Sequence, residues 1–146
     1  WSSDVCSSDL AFANGHPLWF NLSHSGDDIA LLMSDEGEVG CDIEVIRPRE
    51  NWQALANAVF SLTEHDELER EAPEEQLSAF WRIWTRKEAI VKQRGGSAWQ
   101  IVSIDSTAQT LPVSQLRFGS LSLAVCTPTP FTLTAEAVTY SGISAA

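Results

Sequence analysis

The chain has 146 residues, 44% of them hydrophobic, and carries a formal net charge of −11. This length is roughly that of one domain and allows a buried core, and no apolar run is long enough to span a membrane. The acidic balance argues against a nucleic acid partner, and the cysteines show neither a disulfide framework nor metal-ligand spacing, which favours a reducing cytoplasm.

Residues 1–10 are set apart from the rest of the chain by their composition. The stretch is rich in serine, has no apolar periodicity, and is similar to the in-frame translation of a short sequencing adapter. We therefore predict that it is an artefact that stands in place of lost upstream sequence, and that the protein's own residues resume at Ala11.

Three strands are predicted next, at 18–22, 29–33 and 39–46. The turn at 34–37 is expected to join the last two as a hairpin. The first strand leads into Ser23-His24-Ser25-Gly26, which offers hydroxyls, an imidazole and backbone N–H groups to an anion. A serine nucleophile fits less well, because the Gly-x-Ser-x-Gly elbow is absent.

Two acidic residues alternate along the strand predicted at 39–46. Because successive side chains face opposite ways, Asp42 and Glu44 are expected on one side and Cys41, Ile43 and Val45 on the other. Two carboxylates about 6 to 7 Å apart on a strand, with a third from a helix, suit a hard cation such as Mg²⁺ that also binds phosphate. The alternative is the solvated face of a half-exposed strand.

Three helices are predicted in the middle of the chain. The first covers 52–60, and the second begins at 62 after a capping box formed by Ser61 and Glu64 and runs to about 70. The long third helix is expected to start at Pro73 and to end at Gly95-Gly96.

An apolar stripe along the third helix contains one acid. Leu77, Trp81, Trp84 and Val91 recur at three- and four-residue spacing, and Glu88 falls on the same stripe. An unpaired buried charge costs several kcal/mol, so Glu88 needs a proton, a basic partner or a cation.

Basic residues are concentrated in the same helix. Five of the nine lie between positions 82 and 94, where Glu88 is the only acid, and both lysines of the chain are among them. We expect these cations to converge with Glu88 on one polyanion; the alternative is a solvated basic face. The five are Arg82, Arg86, Lys87, Lys92 and Arg94.

Further strands are expected at 99–104, 121–127 and 131–140, with prolines between the last two. The fold class predicted from these elements is α+β.

Three of these stretches resemble the signature motifs of the Sfp-type 4'-phosphopantetheinyl transferases. They are Phe-Asn-Leu-Ser-His-Ser at 20–25, Gly-Cys-Asp-Ile-Glu at 40–44 and Trp-Thr-Arg-Lys-Glu-Ala-Ile-Val-Lys at 84–92, in that family's order and spacing. The most similar branch is that of the holo-acyl-carrier-protein synthases. The resemblance implies transfer of the phosphopantetheine arm of coenzyme A to a serine of an apo acyl or peptidyl carrier protein, with release of 3',5'-ADP.

The resemblance also implies a metal site and catalytic residues. Asp42, Glu44 and Glu88 would hold Mg²⁺ on the pyrophosphate, and Lys87 would contact phosphates or assist proton transfer. The general base would be Glu88, Glu44 or a metal-bound water.

A second group of residues would bind coenzyme A. Ser23, His24 and Lys92 would contact its phosphates. His16 stands where many members of the family have a lysine, so its contact would depend on protonation of the imidazole.

The family fold is a pseudo-dimer of two similar α+β halves with antiparallel sheets, a long helix, and the active site between the halves. Residues 11–40 would be the remainder of a truncated N-terminal half, and residues 41–146 the C-terminal half. A cytoplasmic monomer that serves fatty acid synthesis is expected. The alternatives are a non-catalytic remnant that binds carrier protein and another Mg²⁺-dependent phosphate-ester enzyme.

Overall fold

Two three-stranded antiparallel sheets form the β part of the fold. The computed structural model describes residues 9–13, 15–108 and 112–139. Sheet 1 contains β1 (Asp9–Ala13), β2 (His16–Ser25) and β3 (Asp28–Ser34) in the order β1-β2-β3. Sheet 2 contains β4 (Gly40–Val45), β5 (Val113–Phe118) and β6 (Leu121–Cys126) in the order β4-β6-β5.

Three helices lie between β4 and β5 in the chain: α1 (Trp52–Val59), α2 (Leu62–Glu69) and α3 (Gln76–Gln93). The predicted capping box is confirmed, because the Ser61 hydroxyl accepts from the Glu64 N–H and the Glu64 carboxylate accepts from the Ser61 N–H. Pro73 begins a short 3-10 turn, Pro73–Glu75, immediately before α3. Gly95, with φ of 66°, follows the end of α3 and donates its N–H to the Lys92 carbonyl.

The core has two parts, one on each face of sheet 2. The larger part packs α3 against α1, α2 and one face of the sheet, and includes Phe80, Trp81, Ile90 and Ala124. The smaller part packs the other face of the sheet against residues of β3, and includes Cys41, Ile43, Leu123, Val125, Ala30 and Leu32. Sheet 2 is therefore covered on both sides, by helices and by sheet 1.

Strand β4 lies directly against the backbone of α3 at Gly40. A Cβ atom at this position would come within 2.2 Å of the Ala89 carbonyl oxygen and 2.3 Å of the Gln93 amide nitrogen. Only glycine permits this approach, which brings the following residues of β4 alongside the helix.

The predicted α+β class, with antiparallel sheets and a long helix, is confirmed, but the predicted hairpin at 34–37 is wrong. Strand β3 pairs with β2, whereas β4 pairs with β6. Pairing with a strand about 80 residues later buries both faces of β4 from Gly40 to Ile43. A position next to β3 at the edge of sheet 1 would not provide that burial.

Two predicted strands near the C-terminus are also wrong. The segment at 99–104 is a 3-10 helix, Ala98–Ser103, in which Ile101 and the following Ile104 are buried at the three-residue spacing of that helix. The described part of 131–140 forms no strand, and the Leu133 N–H donates to the Ser114 hydroxyl; Tyr140 lies outside the described residues. Strand β5 was not predicted.

Strand β1 begins at Asp9, within the stretch 1–10 that was predicted to be an artefact. Asp9 and Leu10 pair with Phe20 and Trp19 of β2, and residues 1–8 lie outside the described residues. In the parts of the chain that are described, none of the helices is both long enough and apolar enough to cross a membrane.

Candidate active site

Asp42 is a buried carboxylate between β4 and α3. Its side chain faces α3, as the predicted alternation requires, and the residue is only 4% exposed. Its Oδ1 accepts hydrogen bonds from the Ser23 hydroxyl at 3.0 Å and from the Lys92 ammonium at 3.2 Å. Its Oδ2 is also buried, and no N–H or hydroxyl group among the described residues donates to it; the side chain of Glu44 is close enough to hydrogen-bond to Asp42 when it is protonated. One oxygen is thus fixed and the other remains available for a ligand.

Glu44 and Glu88 share the electrostatic environment of Asp42. Burial, together with the charges of Asp42 and Glu88, raises the pKa of Glu44 to about 8, against the opposing effect of Arg47 and Lys92. Burial also raises the pKa of Asp42 to about 6, and Lys92 together with hydrogen bonds from Ser23 and Glu44 limits that rise. Because these carboxylates repel one another when ionised, a bound cation would stabilise all three.

The chemistry of these carboxylates fits a hard cation, although they do not converge on one point. Over the described ranges, no three His, Cys, Asp or Glu side chains lie close enough together to hold a metal ion. The positive charge beside Asp42 is instead the Lys92 ammonium. The buried Oδ2, to which no N–H or hydroxyl group of the described residues donates, and the mutual repulsion are the observations that favour Mg²⁺, whose preferred ligands are carboxylate and phosphate oxygens.

Side chains of β2 bind the outer edge of β4. The Asn21 side-chain oxygen Oδ1 accepts from the Cys41 N–H at 2.9 Å, the Ser23 hydroxyl from the Ile43 N–H at 3.0 Å, and the Ser25 hydroxyl from the Val45 N–H at 3.1 Å. Since β4 is an edge strand of sheet 2, these N–H groups have no backbone partner in the sheet. The motif at 20–25 therefore joins the two sheets through alternate residues.

Comparison with known proteins identifies the family. A profile described as the 4'-phosphopantetheinyl transferase superfamily matches residues 38–137. The chain belongs to the 4'-phosphopantetheinyl transferase superfamily. By this membership it is a transferase.

Two enterobacterial relatives are highly similar to this phosphopantetheinyl transferase. It is 77% identical over 130 residues to the 4'-phosphopantetheinyl transferase AcpT of Salmonella typhimurium, covering 88% of this chain and 68% of that protein. It is 73% identical over 131 residues to AcpT of Escherichia coli K12, covering 89% of this chain and 67% of that protein. A 4'-phosphopantetheinyl transferase of Bacillus subtilis is 37% identical over 78 residues, which are 53% of this chain and 34% of that protein.

The residues predicted to bind phosphate in this transferase lie on different faces of β2. Ser23 is buried against β4, whereas His24, the next residue, is exposed on the opposite face. His16 is exposed at the start of the same strand. The structure therefore brings Ser23 and Lys92 together on Asp42 and separates both from the two histidines.

Lys87 lies in a different buried network, between α3 and α2. It is 0% exposed, and its ammonium donates to Glu64 at 2.7 Å and to the Ile104 carbonyl. Burial lowers the pKa of Lys87, and the bond to Glu64 opposes this effect. The other oxygen of Glu64 accepts from the Ser106 N–H and hydroxyl. The capping box identified Glu64 from sequence, but no local pattern indicated its pairing with Lys87 or Ser106.

The expected convergence of the basic residues on one polyanion is wrong for the two arginines at the start of the cluster. Arg86 pairs with Glu67 of α2 at 2.8 Å, and Arg82 pairs with the same carboxylate at 3.1 Å. Within the described part of the cluster, Lys92 is the cation that contacts Asp42.

Proposed function

We propose that this chain transfers the 4'-phosphopantetheine arm of coenzyme A to a serine of an apo acyl or peptidyl carrier protein, with Mg²⁺ bound by Asp42, Glu44 and Glu88. The observation that carries this proposal is the buried Asp42, whose Oδ1 accepts from Ser23 and Lys92 while its Oδ2 accepts from no N–H or hydroxyl group of the described residues. The names of the AcpT relatives support the same reaction.

In the proposed reaction the serine oxygen of the carrier protein bonds to the phosphorus that carries the pantetheine group. The bond from that phosphorus to the bridging oxygen breaks, and 3',5'-ADP leaves with the electron pair. Mg²⁺, when bound, would neutralise charge on the pyrophosphate. The serine proton would pass to Glu44 of β4 or Glu88 of α3, two carboxylates that interact electrostatically.

The remaining residues bind and orient the substrates. Lys92 is held beside Asp42 and supplies a positive charge for a phosphate group. His24 and His16 are exposed on sheet 1 and would contact the phosphates of coenzyme A. The buried pair with Glu64 supports a role for Lys87 in holding α3 in place. Acceleration would come mostly from alignment of the two substrates.

The carrier protein would dock near two arginines that follow β4. The guanidinium carbon of Arg47 lies 4.8 Å from the ring centre of Trp81, and that of Arg49 lies 6.0 Å from it. Carrier proteins are acidic, so a local basic surface is needed on a chain with a net charge of −11. We further propose a cytoplasmic monomer in which residues 11–40 and 41–146 belong to two halves of the family fold.

One assay tests the proposed function and both alternatives. The chain is incubated with coenzyme A, Mg²⁺ and an apo acyl carrier protein, and the carrier protein is weighed by mass spectrometry. We expect the mass gain of one phosphopantetheine arm, which chelation of Mg²⁺ by EDTA should abolish. Release of 3',5'-ADP without carrier protein would indicate a hydrolase, and binding of carrier protein without mass gain would indicate a non-catalytic binding protein.

A further inference from the structure

The Ser23 hydroxyl makes two hydrogen bonds that occupy its only proton and one of its acceptor positions. It accepts from the Ile43 N–H at 3.0 Å and donates to Asp42 Oδ1 at 3.0 Å, and the residue is 4% exposed. A hydroxyl has a single donor proton. Ser23 therefore has no proton left to donate to a phosphate oxygen while it holds Asp42.

The two contacts on Asp42 Oδ1 determine the orientation of the carboxylate. Ser23 approaches from β2 and Lys92 from α3, so the oxygen is held by two elements that flank β4. The opposite oxygen, Oδ2, is buried and accepts from no N–H or hydroxyl group in the described ranges of the chain, and the neighbouring Glu44 is itself one of the proposed cation ligands. Rotation of the carboxylate would place Oδ2 against Ser23 and Lys92 and would lose this arrangement.

We infer that Ser23 is a positioning residue, whose hydroxyl holds Asp42 Oδ1 so that Oδ2 faces the cation. This role rests on the proposed function, in which Asp42 binds Mg²⁺. Partners that orient a metal ligand in this way typically contribute about 10- to 100-fold to metal affinity. The role differs from the phosphate contact that the sequence motif implies, because Ser23 acts through Asp42.

Ser25 is a matched control for Ser23 in the same strand. Its hydroxyl accepts from the Val45 N–H at 3.1 Å, so Ser25→Ala also removes one side-chain bond to the edge of β4. The Ser23 hydroxyl also donates to Asp42 Oδ1, a bond that Ser25→Ala leaves in place. The two alanine variants therefore differ chiefly in the contact with Asp42.

The experiment measures divalent cation affinity rather than turnover. Mn²⁺ is titrated into wild type, Ser23→Ala, Ser25→Ala and Ser23→Thr and is followed by electron paramagnetic resonance, with and without coenzyme A. We expect Ser23→Ala to lower the affinity for Mn²⁺ about 10- to 100-fold, Ser25→Ala to leave it unchanged, and Ser23→Thr, which keeps the hydroxyl, to restore it. If Ser23→Ala gives no folded protein, Ser23→Cys serves in its place, because a thiol is a weak donor.

Equal Mn²⁺ affinities for the Ser23→Ala and Ser25→Ala variants would overturn the positioning role. So would a Ser23→Ala variant in which only the KM for coenzyme A rises, since that result would assign Ser23 to phosphate binding. A wild-type chain that binds Mn²⁺ but transfers no phosphopantetheine would refute the proposed function and leave the comparison of the two variants valid. A wild-type chain that binds no Mn²⁺ in either condition would refute both.

Discussion

At the scale of single residues, the carboxylates between β4 and α3 and the thiol beside them have opposite expected roles. Glu88→Gln should abolish transfer and leave the fold intact, because the amide keeps the size of the buried side chain but removes a charged ligand. Asp42→Asn should behave in the same way. Mass spectrometry of the carrier protein measures transfer, and isothermal titration of coenzyme A with and without Mg²⁺ measures binding. Unchanged Mg²⁺-dependent binding in either variant would contradict the assignment of the metal ligands.

Cys41→Ala is the matched control for these two variants. The thiol lies on the opposite face of β4, in the smaller part of the core. Burial raises the pKa of Cys41 to about 12, so the thiol stays protonated and is a poor nucleophile. We expect the alanine variant to lose stability through packing and to retain transfer.

We expect substitution of Lys87 to lower the stability of the protein rather than to impair the chemical step directly. Lys87→Met leaves the buried Glu64 carboxylate without its counter-ion, which should lower the free energy of unfolding by about 3 to 5 kcal/mol. Arg82→Met, on the same helix, breaks half-exposed ion pairs and should cost roughly 0 to 1 kcal/mol. Urea denaturation compares the two variants. A fully stable Lys87→Met protein without activity would instead place Lys87 in the catalytic machinery.

The sequence predicted the direction of the side chains on β4 better than that of the side chains on α3. The two-residue alternation of a strand is fixed by backbone geometry, so Asp42 was correctly separated from Cys41 and Ile43. On a helix, Lys87 and Lys92 lie about 140° apart, and nothing local indicates which of them faces β4. That choice depends on Glu64, which comes from another helix and is buried with Lys87.

At the scale of elements, the contact between β4 and α3 depends on Gly40. Gly40→Ala would force the Cβ into backbone atoms of α3, and we expect a loss of about 3 kcal/mol in stability together with weaker Mn²⁺ binding. Gly119→Ala is a control: Gly119 has φ of 51° and open space around it, so it reports backbone strain alone, about 1 to 2 kcal/mol. If Gly40→Ala and Gly119→Ala bind Mn²⁺ with equal affinity, the close approach of β4 to α3 does not determine the geometry of the cation site.

The start of α2 is tied to the turn after Ile104 by one acid. Asp105 accepts from Ser61, Thr63 and Thr107. Although burial acts to raise it, these hydrogen bonds lower the pKa of Asp105 to about 2. A folded-state pKa below the unfolded value of about 3.9 means that the contribution is full above pH 4 and is lost as the pH falls towards 2.

The Asp105→Asn variant tests this contribution. We expect it to be less stable than wild type at pH 6, and the difference between the two free energies of unfolding should shrink as the pH falls from 4 to 2. Urea denaturation at several pH values measures it. A difference that stays constant over this range would contradict the low pKa.

Strong local signals predicted elements well, and pairings between distant segments were predicted poorly. The capping box at Ser61 and Glu64 determines where α2 begins by hydrogen bonds within four residues, and it was read correctly. The partner of β4 is β6, about 80 residues later, and no short-range pattern indicates it. The segment Ala98–Ser103 contains β-branched residues typical of strands, but its buried isoleucines follow the three-residue period of a 3-10 helix.

At the scale of the whole molecule, sheet 1 has one face covered by sheet 2 and one exposed apolar face. The exposed large side chains on that face are Leu22, Ile29, Leu31 and Met33. Such a surface favours association of the chain with itself or with other apolar surfaces. Leu31→Lys should therefore raise the solubility of the chain and change its free energy of unfolding by less than about 0.5 kcal/mol.

The neighbouring Leu32 provides the control for this prediction. It packs against the smaller part of the core on the covered face of the same strand, so Leu32→Lys should destabilise the protein. Solubility is measured by precipitation with polyethylene glycol, and stability by thermal melting. Equal solubility of Leu31→Lys and wild type would show that this face does not drive association.

The side-chain bonds between β2 and β4 also connect sheet 1 to the Asp42 carboxylate. Ser23 and His24 are consecutive in one stiff strand and project from opposite faces. Ser23 is the residue of β2 that donates to Asp42, so the strand that carries His24 on one face contacts the carboxylate from its other face. Because side chains rather than a backbone ladder make these bonds between β2 and β4, a single substitution can remove any one of them and leave the backbone pairing within each sheet intact.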